Sequence, residues 1–532
     1  MADYSLSTLV ARLKTALIFL KDRERIPAYL CVIAGMVSVR GLPPIQEELT
    51  MMVGFGTFFI LLFGTTVRRG AWLGFLFGLG HFTLSFSWLV TSIHTHGGFP
   101  LPLALLALLI FSAVISLYSA LFGALLPRIA PRAEILPLAA PALWVVTEWL
   151  RVRLFTGFAW NLTGYGWNGR DYLVQVADLG GIYLLSWLML FPAAILALLW
   201  IHHKEIKRVA LGCGSILVVL GLANLYGYIR LDANTESANW APPLKVALIQ
   251  GNIPQEKKWD PRFKREGFSR YIDLSRSLSE PVDLVVWPET AVAFFLQGSP
   301  KAMEEISQLS QHLGAPLLTG GPMADKEQDG SWLFYNSAIL LDESGNQDRR
   351  YNKHHLVPFG EYIPFREYMP DSITKVTEGT SDFTPGPGPV PLAWGQGAIG
   401  MLICYEVIFP HEVRQLATTG VRWLINITND AWFGEAAKPQ HLAMARMRTI
   451  ENRLPLVRVA NTGISAAFDQ YGQELGRIEA NQKGVLTVAL PRGHGQSLFR
   501  RMGHIWIWFW LYLCGAAWIV GIWQTGMFRS LK

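Results

Sequence analysis

Three short segments of the sequence place an ionisable residue beside an apolar run. They read Trp-Pro-Glu-Thr at 287–290, Tyr-Asn-Lys-His at 351–354 and Leu-Ile-Cys-Tyr-Glu at 402–406. A cysteine attacks a carbonyl as a thiolate, so a base must take its proton or a nearby cation must lower its pKa. Glu289 can act as the general base for Cys404, and Lys353 can stabilise the oxyanion that the attack creates. The backbone N–H of Tyr405 is a candidate second donor to that oxyanion.

The cysteine distribution singles out Cys404 as the candidate nucleophile. The chain has four cysteines, and Cys31, Cys213 and Cys514 lie in apolar segments. Cys404 is alone in the polar part of the chain, so it has no disulfide partner there. A single Glu or Lys is usually a solvated charge, and a single Cys is usually a small core residue. The three types together, next to strand ends, favour an active site.

The composition predicts a membrane protein that carries one polar block. Of the 532 residues, 51% are hydrophobic and only 16% are charged, whereas soluble domains have about 25% charged residues. The apolar stretches predict a polytopic α-helical membrane domain with about eight spans. The predicted spans lie near 27–42, 49–66, 71–93, 101–127, 135–150, 171–201, 208–229 and 505–525.

The Lys and Arg residues predict how these spans are oriented. Basic clusters at both termini and after the second, fourth and sixth spans all fall on one side, which the positive-inside rule makes cytoplasmic. Both termini would then be cytoplasmic, and the polar block would be periplasmic in the inner membrane of a Gram-negative cell. The net charge of +6 is explained by this orientation, so we expect no nucleic-acid partner. Arg151 and Arg153, with Phe158 and Trp160, break the pattern and are candidates for contact with lipid headgroups, the alternative being an ordinary aromatic belt.

These patterns divide the chain into four parts. We predict a cytoplasmic N-terminal segment at 1–25, a seven-span membrane domain at 26–242, a catalytic domain at 243–492 and the eighth span at 503–527. In the catalytic domain, strand patterns at 245–250, 283–287, 316–319, 333–341, 398–403, 421–427, 457–460 and 465–469 alternate with helical patterns at 262–278, 301–313 and 440–452. Such alternation predicts an α/β or layered α+β fold.

The Glu, Lys and Cys segments, in this order and with these neighbours, resemble the active site of the nitrilase, or carbon–nitrogen hydrolase, superfamily. The resemblance covers 243–492. It implies a layered α-β-β-α sandwich with both sheets buried between helices. It also implies a mechanism without a metal or other cofactor, and we expect none.

Further motifs resemble the membrane-bound branch of that superfamily, the apolipoprotein N-acyltransferase family, over nearly the whole chain. They are FTGF at 155–158, QGNIPQ at 250–255, KWD at 258–260, HLVPFGE at 355–361, NDAWFG at 429–434 and NTG at 461–463. The resemblance implies that Cys404 takes an acyl chain from a phospholipid of the phosphatidylethanolamine type as a thioester. The chain then passes to the N-terminal amino group of diacylglyceryl-cysteine on an apolipoprotein. By the same resemblance, supporting positions around the three central residues are Glu361, Tyr405, Glu406, Trp259, Asn336 and Asn429.

Two other functions use the same residues differently. A membrane-tethered amidase or nitrilase would pass the acyl group to water and hydrolyse a C–N bond. A transporter or binding protein could carry an inactive domain of this fold, although the presence of all three residue types argues against decay. We expect the enzyme to act as a monomer with the bilayer, a phospholipid donor and an apolipoprotein acceptor as its partners.

Overall fold

The computed structural model describes residues 25–232, 242–368, 382–395, 397–493, 496–503 and 505–529. The described residues form a bundle of apolar helices and a domain built from two sheets. Apart from Arg25, the predicted N-terminal segment 1–25 lies outside the described residues.

Each of the eight predicted spans falls on one helix. These helices are α1 (Arg25–Ser38), α2 (Glu48–Leu62), α3 (Val67–Ser85), α4 (Leu101–Ile129), α5 (Leu136–Arg153), α6 (Ala177–Ile201), α7 (Ile206–Asp232) and α14 (Ile505–Arg529). Within the described ranges, five segments are long and apolar enough to cross a membrane: Leu101–Ile129, Ala133–Arg153, Leu173–Ile201, Ile206–Asp232 and Ile505–Trp523. The polytopic helical domain is confirmed, and the number of eight spans stays a prediction. The long sixth segment is kinked inside α6, where Gly181 has φ of +68°.

Helices α3 and α4 pack backbone against backbone. Gly70 and Gly74 lie one turn apart on α3, and a Cβ atom on Gly74 would stand 2.2 Å from the carbonyl oxygen of Ser119. At the other end of the contact, a Cβ on Gly70 would stand 2.1 Å from the carbonyl oxygen of Gly123. In a bilayer, apolar burial does not drive helix association, so close van der Waals packing through small residues must do so.

The polar block folds into two six-stranded sheets of similar design. The first sheet has the order β12-β1-β2-β3-β4-β5 and the second has the order β11-β10-β9-β8-β7-β6. The first sheet contains β1 (Leu244–Gln250), β2 (Leu284–Val286), β3 (Leu317–Lys326), β4 (Trp332–Leu341), β5 (Gln347–Asn352) and β12 (Gly484–Leu490). The second sheet contains β6 (Leu392–Trp394), β7 (Gly397–Ile403), β8 (Trp423–Thr428), β9 (Leu456–Ala460), β10 (Ser465–Phe468) and β11 (Glu474–Ile478). In each sheet three parallel strands, β1-β2-β3 or β7-β8-β9, form the centre and antiparallel strands flank them.

The two sheets face each other across a buried apolar core. Val246 and Val286 of the first sheet belong to the same buried cluster as Ile403, Ile425 and Val457 of the second. Helices α9 (Pro261–Arg276) and α10 (Pro300–Leu313) cover the first sheet, and Phe268 and Ile306 share a buried cluster with Val285. The short helix α8 (Gln255–Lys258) precedes α9. Helices α11 (Pro410–Ala417), α12 (Ala437–Asn452) and α13 (Leu498–Met502) lie on the side of the second. The predicted α-β-β-α sandwich is therefore confirmed.

Four strands are missing from the sequence-based prediction. Strand β6 has only three residues, which is too short for a pattern, and β5 and β11 are polar segments in which at least half of the residues are exposed. Strand β12 is rich in Val and Thr, as strands commonly are, and its omission was an error.

Helix α12 joins the sandwich to the membrane helices. Fourteen of its 16 residues are buried. Gln440 accepts a hydrogen bond of 2.8 Å from the indole N–H of Trp160, and Glu451 accepts one of 2.8 Å from the backbone N–H of Ile182. Arg448 donates to the hydroxyl of Tyr165 at 3.0 Å. The two halves of the molecule therefore share one core.

Gly74→Ala should destabilise the helix bundle, because the added methyl group meets the backbone of α4. Overpacking of this kind costs about 1–3 kcal/mol, which should lower the midpoint of thermal unfolding in detergent. Gly221→Ala is the matched control, since nothing lies within 4 Å of its Cβ position on α7. Equal midpoints for the two variants would contradict the close packing of α3 on α4.

Candidate active site

Cys404 lies at the sharp turn that follows β7. It begins a short 3-10 helix, Cys404–Ile408, and its φ is +53°. A left-handed conformation in a residue other than glycine costs about 1–3 kcal/mol and persists only where the surroundings enforce it. The enforcing contacts are a hydrogen bond of 2.7 Å from the Ile403 N–H to the Glu406 carboxylate, and the approach of His441 Nε2 to within 3.3 Å of the Cys404 carbonyl oxygen. These contacts hold the thiol at the end of the second sheet.

Glu289 lies at the corresponding end of the first sheet, after β2. Its Oε1 accepts a hydrogen bond of 2.8 Å from the Asn336 side chain, and its Oε2 accepts one of 2.8 Å from the backbone N–H of Asn429. Asn336 belongs to β4, whereas Asn429 follows β8. The carboxylate is therefore held from both sheets, with little freedom to rotate.

Lys353 follows β5 and is only 1% exposed. Its Nζ lies 2.9 Å and 2.8 Å from the two carboxylate oxygens of Glu361, and 3.7 Å from Oε1 of Glu289. Burial by itself lowers the pKa of Lys353, but the negative charges of Glu361 and Glu289 outweigh burial and raise that pKa above its usual value. Lys353 is therefore a fixed positive charge in the site.

The thiol of Cys404 does not ionise by itself. Burial and the charge of Glu289 raise the pKa of Cys404 well above its usual value, and the charge of Lys353 offsets this only in part. The protonated thiol consequently needs a base at the moment of attack. Among carboxylates, the charge of Glu289 contributes most to this rise, so Glu289 is the candidate base.

The predicted supporting residues take different positions. Asn336 donates to both Glu289 and Glu361 at 2.8 Å. Glu406 is fully buried and accepts from the Tyr351 hydroxyl at 3.0 Å and from the His354 N–H at 2.8 Å, so it supports the turn. The Asn429 side chain donates to Gln255 at 3.0 Å. Tyr405 packs its ring on Phe409, and Trp259 is half-buried at the end of α8.

Two groups next to the site were not predicted. Lys258 is 3% exposed and its Nζ donates to the backbone carbonyl of Glu289 at 3.1 Å. Beneath Cys404, the buried Asp430 binds Arg458 at 2.6 Å and His441 at 3.1 Å. Both residues belong to motifs that carried the family resemblance: Lys258 to KWD and Asp430 to NDAWFG. These motifs could have identified them as candidate site residues.

The four candidates for headgroup contact separate into two pairs. Trp160 has no exposed surface, and Arg151 is 3% exposed and donates to the Trp160 carbonyl oxygen at 2.9 Å. Side chains this deeply buried cannot reach lipid headgroups. Phe158 and Arg153 are half-buried, so the interfacial role stays a prediction for these two residues.

A cluster of two histidines and two glutamates connects the site to a loop of the helical part. His354 lies 2.7 Å from Glu406 and 3.0 Å from Glu412, and the His355 ring stacks on Phe409 with 3.8 Å between centroids. His355 Nε2 also lies 3.1 Å from the carbonyl oxygen of Thr156. The cluster therefore ties the turn of Cys404 to the loop that follows α5.

Comparison with known proteins accounts for both halves of the chain. Residues 245–499 match the family model described as carbon–nitrogen hydrolase, and residues 34–195 match the model described as apolipoprotein N-acyltransferase N-terminal domain. These matches define a carbon–nitrogen hydrolase domain carried by membrane helices. Among solved structures, an amidase from Nesterenkonia AN1 of the nitrilase superfamily is 20% identical, with a TM-score of 0.37 over 48% of this chain and 93% of the amidase.

Two curated relatives span nearly the whole length. The apolipoprotein N-acyltransferase of Geobacter metallireducens is 36% identical, over 90% of this chain and 92% of its own. That of Vibrio parahaemolyticus is 34% identical, over 85% and 89%. The chain belongs to the apolipoprotein N-acyltransferase family. It is accordingly an N-acyltransferase and a bacterial membrane protein.

Glu361→Gln should slow acylation of Cys404 without unfolding the protein. The amide keeps the shape of the side chain but removes the charge that holds Lys353. The ammonium group is then less firmly positioned, and the pKa of Lys353 falls. We expect the rate to fall by about ten- to a hundredfold, measured as the appearance of acylated protein by mass spectrometry. Glu367→Gln, at an exposed position, should keep the full rate. Equal rates for both variants would show that Glu361 does not position Lys353.

His354 should make the folded state more stable at neutral than at alkaline pH. Burial lowers the pKa of His354, but the hydrogen bonds to Glu406 and Glu412 outweigh burial and raise it from 6.5 to about 10. The folded-state pKa lies above the unfolded one, so this stabilisation is complete below pH 6.5 and is lost as the pH rises through about 10. His354→Asn should remove that part of the pH dependence of the unfolding midpoint. His312→Asn, at an exposed position on α10, should leave the curve as it is.

Proposed function

We propose that the chain transfers a fatty acyl group from a phospholipid to the N-terminal amino group of diacylglyceryl-cysteine on an apolipoprotein, by way of a thioester on Cys404. One observation carries this proposal: a buried thiol, a doubly held carboxylate and a fixed ammonium group meet in a domain that shares its core with membrane helices. A lipid donor can reach such a site from the bilayer.

In the first half-reaction, Glu289 takes the proton of the Cys404 thiol while the sulfur attacks the ester carbonyl of the phospholipid. The negative charge on the carbonyl oxygen is stabilised by Lys353 and by the backbone N–H of Tyr405. When the C–O bond breaks, Glu289 returns the proton to the glycerol oxygen. A lysophospholipid leaves, and the acyl group remains on Cys404.

In the second half-reaction, the amino group of the acceptor attacks the thioester. The N–C bond forms, the C–S bond breaks, and Cys404 recovers a proton through Glu289. Water must be kept from the thioester while it waits for the amine, and the 5% exposure of Cys404 and 6% exposure of Glu289 support this. The same exclusion disfavours the amidase alternative, in which water is the acceptor.

Exposed apolar side chains near the site support access from the bilayer. Phe155 is 88% exposed, on the loop whose Thr156 meets His355. Phe359, Phe365 and Tyr368 are also exposed, on the segment around Glu361. Exposed aromatic side chains on these two segments fit a surface that meets lipid or protein.

The remaining parts of the proposal concern topology and partners. We assign the spans to 26–242 and 503–527 and the catalytic domain to 243–492. The distribution of Lys and Arg supports cytoplasmic termini and a periplasmic catalytic domain. We further propose phosphatidylethanolamine as the donor type and a monomer as the active form.

Incubation of the purified protein with phosphatidylethanolamine should raise its intact mass by one acyl group. Hydroxylamine at neutral pH should remove the adduct, because it cleaves thioesters. Cys404→Ala should form no adduct. Cys213→Ala, which removes an exposed thiol on α7, should form it normally. Absence of the adduct together with release of ammonia from an amide would instead identify a hydrolase, and an adduct on Cys404→Ala would refute the assigned nucleophile.

A further inference from the structure

Two buried lysines approach the catalytic carboxylate in opposite surroundings. Lys353 is 1% exposed and lies 2.8 Å from a carboxylate oxygen of Glu361. Lys258 is 3% exposed, yet among the described residues no carboxylate oxygen lies within 4.0 Å of its Nζ. Its hydrogen bond goes to the backbone carbonyl of Glu289, at 3.1 Å. A buried ammonium without a carboxylate is costly, so these surroundings favour the neutral amine on Lys258.

The groups that act on Lys258 set its proton affinity near neutrality. Burial lowers the pKa of Lys258 from 10.5 to about 7, although the charge of Glu289 opposes the change. A buried amine of this kind can accept a proton at neutral pH, which Lys353 cannot do because its charge is fixed. Two titratable groups whose surroundings drive their pKa values apart usually have different roles in an active site.

The helix that carries Lys258 also carries a buried side-chain donor without an acceptor among the described residues. Gln255 is 7% exposed, and its Nε2 has no hydrogen-bond partner among the described residues. Its Oε1 accepts from the Asn429 side chain at 3.0 Å, and the backbone N–H of the same Asn429 binds Glu289. Helix α8 thus presents a buried amide donor and a buried amine next to the catalytic carboxylate, as a ligand-binding segment would.

A proton count for the second half-reaction, which rests on the proposed function, shows why another base is needed. The α-amino group of the acceptor has a pKa of about 8, so at pH 7 roughly nine-tenths of it is ammonium. That nitrogen loses two protons before it becomes the amide nitrogen. One proton goes through Glu289 to the sulfur of Cys404. The other has no acceptor among Glu289, Lys353 and Cys404.

We propose that Lys258 is a further catalytic residue, the base that neutralises the incoming ammonium group of the acceptor. Nζ of Lys258 takes one proton from the bound ammonium and leaves a neutral amine beside the thioester. The amine nitrogen attacks the carbonyl carbon, the N–C bond forms and the C–S bond breaks. The second N–H proton passes to Glu289 and from there to the thiolate of Cys404. Lys258 then releases its proton to water.

The test separates the two half-reactions in the full-length protein. Wild type, Lys258→Met and Lys257→Met are acylated with phosphatidylethanolamine, and a synthetic diacylglyceryl-cysteine peptide is then added at several pH values from 6 to 9. Loss of the acyl adduct is followed by mass spectrometry. Lys257 is the matched control because it is exposed and lies on the same helix.

We expect Lys258→Met to accept the acyl group at close to the wild-type rate but to transfer it at least tenfold more slowly at pH 7. The deficit should shrink as the pH rises, and it should nearly vanish at pH 9, where the peptide amine is neutral in solution. Lys257→Met should follow the wild type. If Lys258→Met shows the wild-type pH profile for transfer, or loses acylation and transfer equally at every pH, the proposal is overturned.

Two further measurements separate a proton acceptor from a fixed charge or a structural role. Lys258→Arg introduces a permanent positive charge that cannot release its proton near neutrality, so it should be as slow in transfer at pH 7 as Lys258→Met. Full activity of Lys258→Arg would contradict the proposal. Hydroxylamine, which is already neutral at pH 7, should remove the acyl group from Lys258→Met and wild type at equal rates, and a persistent defect there would also contradict it. If wild type forms no adduct at all, the proposed function itself fails, and that outcome is distinct from the others.

Discussion

An ammonium group removed from water is the constraint on which the architecture of the site depends. The 1% exposed Lys353 is tolerated because Glu361 meets it with both carboxylate oxygens. Glu361 is in turn held by the backbone N–H of Val357 and by Asn336, each at 2.8 Å. Asn336 also fixes Glu289, so one buried charge determines the places of both carboxylates. Removal of any member would leave a buried polar group without a partner, which costs more than the contact itself contributes.

The site assigns different protonation states to groups that lie close together. Cys404 is held as a thiol by burial and by Glu289, while Lys353 is held as a cation by its carboxylates. In the proposed mechanism, the thiol therefore loses its proton to Glu289 as it attacks the acyl group. The strained turn at Cys404 and the two donors to Glu289 fix the geometry in advance, so little rearrangement is needed during the reaction.

The sequence predicted an α/β or layered α+β fold because its central strands are continuous apolar runs, as Leu284–Val286 and Gly397–Ile403 illustrate. The sandwich itself was predicted from the family resemblance. The sequence predicted Glu289 and Cys404 because each follows an apolar run directly. Lys353 follows β5, a polar strand without an apolar pattern, so its segment was a weaker signal that the family resemblance strengthened. The burial of Trp160 and Arg151 could not be predicted, because a Trp-rich and Arg-rich segment beside a span looks the same at a lipid interface and at a contact between domains. Lys258 was missed because its lack of a carboxylate partner depends on residues distant in the sequence.

Helix α12 has few residues that face solvent, so the catalytic domain and the membrane helices form a single structural unit. One side of the helix completes the outer layer of the second sheet, and the other forms polar contacts with the membrane helices through Gln440, Arg448 and Glu451. Separating the catalytic domain from the membrane helices would expose both the paired polar groups and the apolar surface of this contact. The catalytic domain is therefore confined with its helices to the two dimensions of the membrane. Its encounter with a substrate anchored in the same bilayer is governed by lateral diffusion rather than by concentration in bulk water.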